Sequence, residues 1–292
     1  MVKVAPPIVR NSVAIDDWVC YDGIDPPADN IGNVYVLTSL DGWWGGLAPR
    51  ATVVDRPMAD GGFDGPAPSP GRTVTVAGAL LAVDRPGLLR GMDTLAAILA
   101  GQNRRGALIV TEAIVPVART SDVRLGGATM VKRTGPLSAE FSVIVYAADP
   151  RRYALAPSVV TMSPYLGGLG RHYPMTFRRT YGTLGSTGRI NAHNAGSQIT
   201  LPVITFNGPC ANPIIASGDA STALWLRMTL LAGESVTLDC NDRTVIFGGA
   251  TRRQFLDPTS QWLDFEPGDN PVVFDTDTGN GTATVSWRDA WA

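Results

Sequence analysis

Apolar and polar residues alternate with a period of two through much of the chain, and the alternation is cleanest in the second half. Short runs at 175–177, 199–201, 203–206, 224–228, 236–238, 244–247 and 262–265 are divided by turn signals such as Asn207-Gly208-Pro209, Ala232-Gly233 and Gly248-Gly249. Many short alternating strands at such spacing predict a β-sandwich. Pro202 predicts an edge or a bulge, because it has no amide to donate. The last such segment places Val272 and Phe274 on one strand and Ala283, Val285 and Trp287 on another, with Thr282, Thr284, Ser286 and Arg288 on the opposite side. The polar loop 275–281 between them, ending in Asn280-Gly281, predicts a terminal hairpin.

The first half mixes strands (34–37, 74–76, 107–110, 113–117, 141–147) with one helix over 86–100. Pro86 suits its first turn, Asp84 its cap and Gly101 its left-handed end. Leu88, Met92, Leu95 and Leu99 recur at spacings of four, three and four, which makes one apolar core-facing stripe. Residues 55–71 hold four prolines and four glycines and cannot form a packed element. They read as a protruding arm between two strands. A break at 149–158, where an apolar strand gives way to a Pro-containing polar segment, divides the chain into domains 1–155 and 156–292.

Several stretches carry a family resemblance. The terminus Pro267-Gly268-Asp269-Asn270-Pro271-Val272-Val273-Phe274, a short loop, then Ala283-Thr284-Val285-Ser286-Trp287-Arg288-Asp289-Ala290-Trp291 resembles the end of distal tail proteins, minor tail proteins of long-tailed phages, especially those of actinobacteria. Residues 36–44 (Val-Leu-Thr-Ser-Leu-Asp-Gly-Trp-Trp), the strand 141–147 followed by Ala148-Asp149-Pro150-Arg151-Arg152-Tyr153, and the Gly/Pro-rich arm before Gly71-Arg72-Thr73-Val74 follow in the same order. The resemblance implies a mainly β chain. Its N-terminal strand-rich domain with one α-helix would build a homo-hexameric ring, and a C-terminal galectin-like β-sandwich would project from it. It further implies a non-enzymatic adaptor in the virion, at the tail tip, made in the host cytoplasm. Its partners would be the tail tube protein, the tail-tip hub and the receptor-binding proteins, with DNA passing through the ring without specific binding.

Composition narrows the alternatives. Charged residues are 17% of the 292 and the formal net charge is −2, so no strong pull on nucleic acid is expected. Glycine (32) and proline (22) favour turns over long helices. Cys20, Cys210 and Cys240 are odd in number and widely spaced, which indicates neither a zinc knuckle nor a disulfide framework. Cys240, in phase with Val236 and Leu238, reads as a buried small hydrophobe. Residues 1–10 lack a signal-peptide core, and no 18-residue apolar run predicts a membrane span.

No residue is nominated as catalytic, cofactor-binding or metal-ligating, and no cofactor is expected. His172 and His193 are too few for a metal site. Residues 275–280 faintly resemble a calcium loop but lack its bidentate glutamate. Gly185-Ser186-Thr187-Gly188 is not a nucleophile elbow. The carboxylate pairs Asp239/Asp242 and Asp264/Glu266 need folding to set any catalytic separation. Trp43-Trp44 reads either as an exposed interface anchor or as a core tryptophan with a marginal neighbour. Trp225 and Trp262 read as core packing. A sugar platform built from them would instead make the chain a carbohydrate-binding adhesin of the tail tip. A glycan-cleaving enzyme would need a cleft with paired carboxylates.

Overall fold

The computed structural model describes residues 11–23, 26–46, 48–50, 54–56, 58, 60–63, 65, 68–112, 117–165 and 186–292. Contacts divide the chain into one unit of Met1–Leu155 with Ala292 and another of Ala156–Trp291. The chain is mainly β, with one α-helix among the described residues.

The first unit contains β1 (Ser12–Ile15), β2 (Trp18–Tyr21), β3 (Val34–Asp41), a two-pair hairpin of β4 (Val54–Asp55) and β5 (Gly62–Phe63), and β6 (Arg72–Leu81). Helix α1 (Arg85–Ala97) follows, then β7 (Arg105–Glu112), β8 (Val117–Leu125), β9 (Met130–Arg133), β10 (Ser138–Ala147) and β11 (Arg152–Ala154). Seven of these pair in the order β8-β7-β1-β2-β3-β6-β10, and Val145↔Leu125 with Tyr146↔Arg124 joins β10 back to β8, so the sheet closes on itself. Closure removes the exposed edges that a long sheet would leave open. Every other side chain of β6 and β10 points inward, so Val74, Val76, Leu80, Phe141, Val143 and Val145 fill the interior. Gly78 faces Phe141 across that pair, and a Cβ there would sit 2.2 Å from the Val36 carbonyl oxygen and 2.6 Å from the phenyl ring. The absent side chain is what lets Phe141 lie over β6. Trp18 meets Tyr35 and Phe141 edge-on, at 5.6 and 5.4 Å between centroids.

Helix α1 closes the core with Leu88 and Leu95 buried and Met92 half-buried, as the stripe predicts. Asp84 is its N-cap, accepting from the Gly87 amide at 2.6 Å. The helix ends earlier than its apolar stripe. Ile98 is the C-cap, and the backbone first turns left-handed at Leu99 (φ +50), two residues before Gly101, which is also at positive φ (+123). Leu99 is 2% exposed, so burying its side chain offsets the cost of a conformation that glycine would adopt freely.

The second unit continues with β12 (Ser158–Met162), β13 (Arg189–Asn194), β14 (Val203–Asn207), β15 (Cys210–Ala211), β16 (Ile214–Ser217), β17 (Ala223–Trp225) and β18 (Thr229–Leu230). β19 (Ser235–Asp239), β20 (Thr244–Phe247), β21 (Ala250–Thr251), β22 (Gly268–Asp275), β23 (Thr278–Gly279) and β24 (Thr282–Trp287) follow. One sheet has the order β12-β24-β14-β19-β20-β21 and another β13-β22-β16-β17. Their inward residues share one core, in which Phe206 stacks on Phe274 at 5.6 Å and Phe265 meets Trp287 edge-on at 5.7 Å.

The inward phase of the terminal segment is as predicted: Val272, Phe274, Ala283, Val285 and Trp287 are all buried. The hairpin is not. β22 pairs with β13 and β16, β24 pairs with β12 and β14, and the two lie in different sheets. Loop 275–281 crosses from one sheet to the other, and β23 within it pairs with β15 instead. Pro202 is at neither an edge nor a bulge. It stands just before β14, a central strand, where no ladder amide is required. All three cysteines are buried and free, and burial pushes the Cys20 and Cys240 thiols up to about 12. Strand 175–177, His172 and residues 113–116 lie outside the described residues, as does part of the 55–71 arm.

Candidate interaction surfaces

The most organised polar cluster sits where β3 ends and β6 begins. Arg72 is in phase with Val74 and Val76, so its side chain enters the barrel and is 0% exposed. Its Nη1 donates to the carbonyl oxygens of Gly42, Trp43 and Gly45 at 2.8, 2.9 and 3.0 Å, and its Nε donates to Pro150 at 3.0 Å. A planar guanidinium fork can gather four carbonyls where an ammonium cannot. Gly42 makes the turn possible: it sits at φ +82, and a Cβ would lie 2.2 Å from the Thr73 carbonyl. The gathered turn sends Trp43 inward and Trp44 outward. Trp43 is 0% exposed and Trp44 49%, so both readings of the pair are realised, one in each residue.

Residues 149–153 complete this end. Asp149 accepts from the Arg151 amide, Nε and Nη2 at 3.0, 2.9 and 2.9 Å and from the Tyr153 hydroxyl at 2.6 Å. Burial alone would raise the Asp149 carboxyl, but these hydrogen bonds outweigh it and hold the group below its ordinary value. Burial, and then the hydrogen bond to the Asp149 carboxylate and its charge, push the Tyr153 phenol up. Ser121 donates to the Arg151 carbonyl at 2.9 Å, fixing the segment to β8. Arg152 is thereby laid over both tryptophans, at 5.7 Å from the Trp43 ring and 5.4 Å from Trp44. Arg119 of β8 covers Trp44 at 5.7 Å. Burial and then the neighbouring Arg72 and Arg119 lower the Arg152 guanidinium to about 10. The half-exposed indole is therefore held rigid between two cations.

A pocket of about 610 Å³ lies at the other end of β3, among Asp16, Asp17, Trp18, Asp29, Tyr35 and Leu99. Asp16, at φ +51, accepts from the Ala107 amide at 3.1 Å and lies 3.8 Å from Arg104. Asp29 accepts from the amides of Ile31 and Asn33 at 2.9 and 2.8 Å. Asp17 is exposed.

In the second unit the two outer faces differ. Thr161, Thr284, Thr205 and Thr237 stand in register across four strands, with hydroxyls 2.9 Å apart in the first pair and 3.3 Å in the last. The face of the other sheet carries Arg189, Asn191 and His193, and His193 Nδ1 lies 2.7 Å from Asp269. Trp225 departs from the expected core position. It stands between buried Leu224 and Leu226, half-exposed on the outer face, with the Arg227 guanidinium 5.0 Å from its ring. Trp262 packs partly buried against the core, as expected.

The residues weighed for chemistry hold the fold. Asp239 caps the amides of Asn241 and Asp242 at 2.8 and 3.1 Å. The Glu266 amide donates to Asn270 at 2.9 Å. Ser186 Oγ donates to the Ser163 carbonyl at 3.0 Å. Asp277, in the loop weighed as a calcium site, accepts from Asn212 at 2.8 Å. Among the described residues no group of three or more His, Cys, Asp or Glu side chains could hold a metal ion, and no helix is long and apolar enough to cross a membrane.

Residues 195–291 match the family model described as the siphovirus-type tail component, C-terminal domain. No curated protein matches the chain by sequence. Among solved structures, the fold is similar to that of the Dit protein of phage SPP1, described as a paradigm of the hub adsorption apparatus of phages that infect Gram-positive hosts. The TM-score is 0.64 at 14% identity, over 94% of this chain and 98% of that one. A chain of the phage P2 baseplate in its activated conformation with calcium aligns at TM-score 0.49 and 11% identity, over 96% of this chain and 98% of that one. The likeness to distal tail proteins drawn from the terminal motif is therefore shown: about the last third of the chain matches siphovirus-type tail components, and the whole chain folds like Dit.

Proposed function

We propose that this chain is a non-enzymatic structural adaptor of a phage tail tip. Six copies form a ring that joins the tail tube to the hub and the receptor-binding proteins, and DNA passes through it. The observation that carries the reading is the ordered likeness to a hub protein over nearly the whole chain, together with the family match at its C-terminal end. In this reading residues 1–155 are the ring-forming domain, with the 55–71 arm reaching a neighbour or the tube. Residues 156–292 are a galectin-like sandwich facing outward. The described part of the arm fits such a contact, because Met58 and Phe63 are strongly exposed there. Cryo-electron microscopy of intact tail tips tests the reading. The expected result is six copies in a ring between tube and hub. A single copy at a fibre end would remove it and promote the adhesin. A fragment beginning near Pro157 should fold alone into β-rich structure by circular dichroism. An unfolded fragment beside a folded whole chain would refute the domain division.

The adhesin reading draws on Trp225, whose half-exposed ring stands on an outer face. Arg227 lies over that ring, where a sugar would have to stack, and its Nε is bound to buried Asp257. That arrangement favours the adaptor.

A further inference from the structure

The two ends of the barrel differ in a complementary way. One presents Trp44, 49% exposed and stiffened by Arg119 and Arg152, on a turn anchored by Arg72. The other presents the 610 Å³ pocket, lined by apolar side chains and by Asp16, Asp17 and Asp29, with Arg104 the one cation among the described lining residues. β3 runs from the pocket end at Val34 to the tryptophan end at Asp41. At about 3.3 Å per residue that separates the ends by roughly 23 Å. Trp44 therefore cannot fill the pocket of its own barrel.

We propose that the tryptophan–arginine end of one barrel docks into the carboxylate-lined pocket of a second copy. Trp44 enters the pocket and Arg119 meets Asp17. This contact rests on the ring reading and names the surfaces that would build it. It joins two different surfaces of identical chains, so it is head-to-tail, and a repeated head-to-tail contact closes into a ring when its rotation permits. A rigid aromatic flanked by arginines is the composition that concentrates binding energy at interface centres. Ordering the anchor before contact lowers the entropy lost on docking. Within its own barrel Arg119 feels the carboxylate of Glu112, and Arg152 donates to the Ala292 oxygen.

The test uses the full chain. Arg119→Glu and Asp17→Arg should each weaken self-association at least tenfold, read by analytical ultracentrifugation over a concentration series. Mixed one to one they should associate again to within about threefold of the wild type, because every contact in an alternating ring then joins opposite charges. Gly46→Cys and Asp17→Cys, made in separate chains and mixed, should form an intermolecular disulfide. Gly46 is exposed with open space around its Cβ position, and the three native thiols are buried. Assembly that survives both charge reversals and yields no disulfide between 17 and 46 overturns this contact and leaves the ring reading standing. No assembly of the wild type, either in concentrated solution or in tail tips, removes both.

Discussion

The barrel and the six-stranded sheet of the second unit place charge in opposite ways. The six strands of that sheet contain no lysine, arginine or glutamate, and their single carboxylate, Asp239, caps a turn. One outward row, Thr161, Thr284, Thr205 and Thr237, is hydroxyls in register, and the inward row through Val285, Ile204, Leu238 and Val245 is apolar and buried. The barrel strands carry arginines at several positions, and Arg72 is drawn wholly inside. Sheet stability in the second unit therefore comes from cross-strand apolar pairs. In the barrel, a buried fork of hydrogen bonds sets the shape of one end. The difference teaches where shape was needed. An apolar layer packs without pointing anything outward, whereas the Arg72 fork positions Trp44 at the surface.

The comparison breaks most visibly at Trp287. Its ring is 5% exposed, meets Phe265 edge-on, and donates from Nε1 to the His193 carbonyl at 3.0 Å. Trp287→Ala should cost about 3–5 kcal/mol, a large share of a domain's stability. Thr284→Ala, on the outward phase, loses one hydroxyl contact and should cost about 1 kcal/mol or less. Urea unfolding of both variants measures the gap. Equal losses would show that the apolar layer does not dominate this unit.

Arg72 should come next. Arg72→Met keeps the bulk but leaves the carbonyls of Gly42, Trp43, Gly45 and Pro150 without their donor, at a cost of about 3 kcal/mol. Arg72→Lys should restore little of it, since a point charge cannot span the four acceptors. The spectroscopic signature is Trp44, whose fluorescence should report a loosened turn in both variants. A lysine variant as stable as the wild type would mean that charge matters here and the fork does not.

How far the chain could be read follows the same division. The inward phase of the second unit was legible because period two alone sets which side a residue faces. The pairing of its last two strands was not, since the period says nothing about which sheet a strand joins, and loop 275–281 crosses between them. Trp225 was misplaced in the core although its phase was visible, with Leu224 and Leu226 claiming the inward positions. Arg72 carried a similar signal, standing in phase with Val74, Val76 and Leu80, yet an arginine after a Gly/Pro segment reads as solvated. Barrel closure had no signal at all. It depends on two residue pairs between β8 and β10, far apart in sequence. The Trp43-Trp44 surface was legible as an alternative, and only the carbonyl fork decided which tryptophan turned outward.

The smallest expected effect concerns acid. Asp149 gathers Arg151 and Tyr153, and these bonds hold its carboxyl below the ordinary 3.8. A group whose folded value is depressed stabilises the fold fully above its unfolded value, and that contribution fades as pH falls through the folded one. Asp149→Asn should therefore lower the unfolding midpoint by a constant amount from pH 7 down to about pH 5, with the difference narrowing below about pH 4. The side chain is 37% exposed, so solvent screening keeps the effect below that of Arg72. Thermal unfolding of wild type and variant across that range is the measurement. A difference that widens on acidification would mean that the neutral acid, and not the carboxylate, holds Arg151 and Tyr153, and the tryptophan end would then be organised by Arg72 alone.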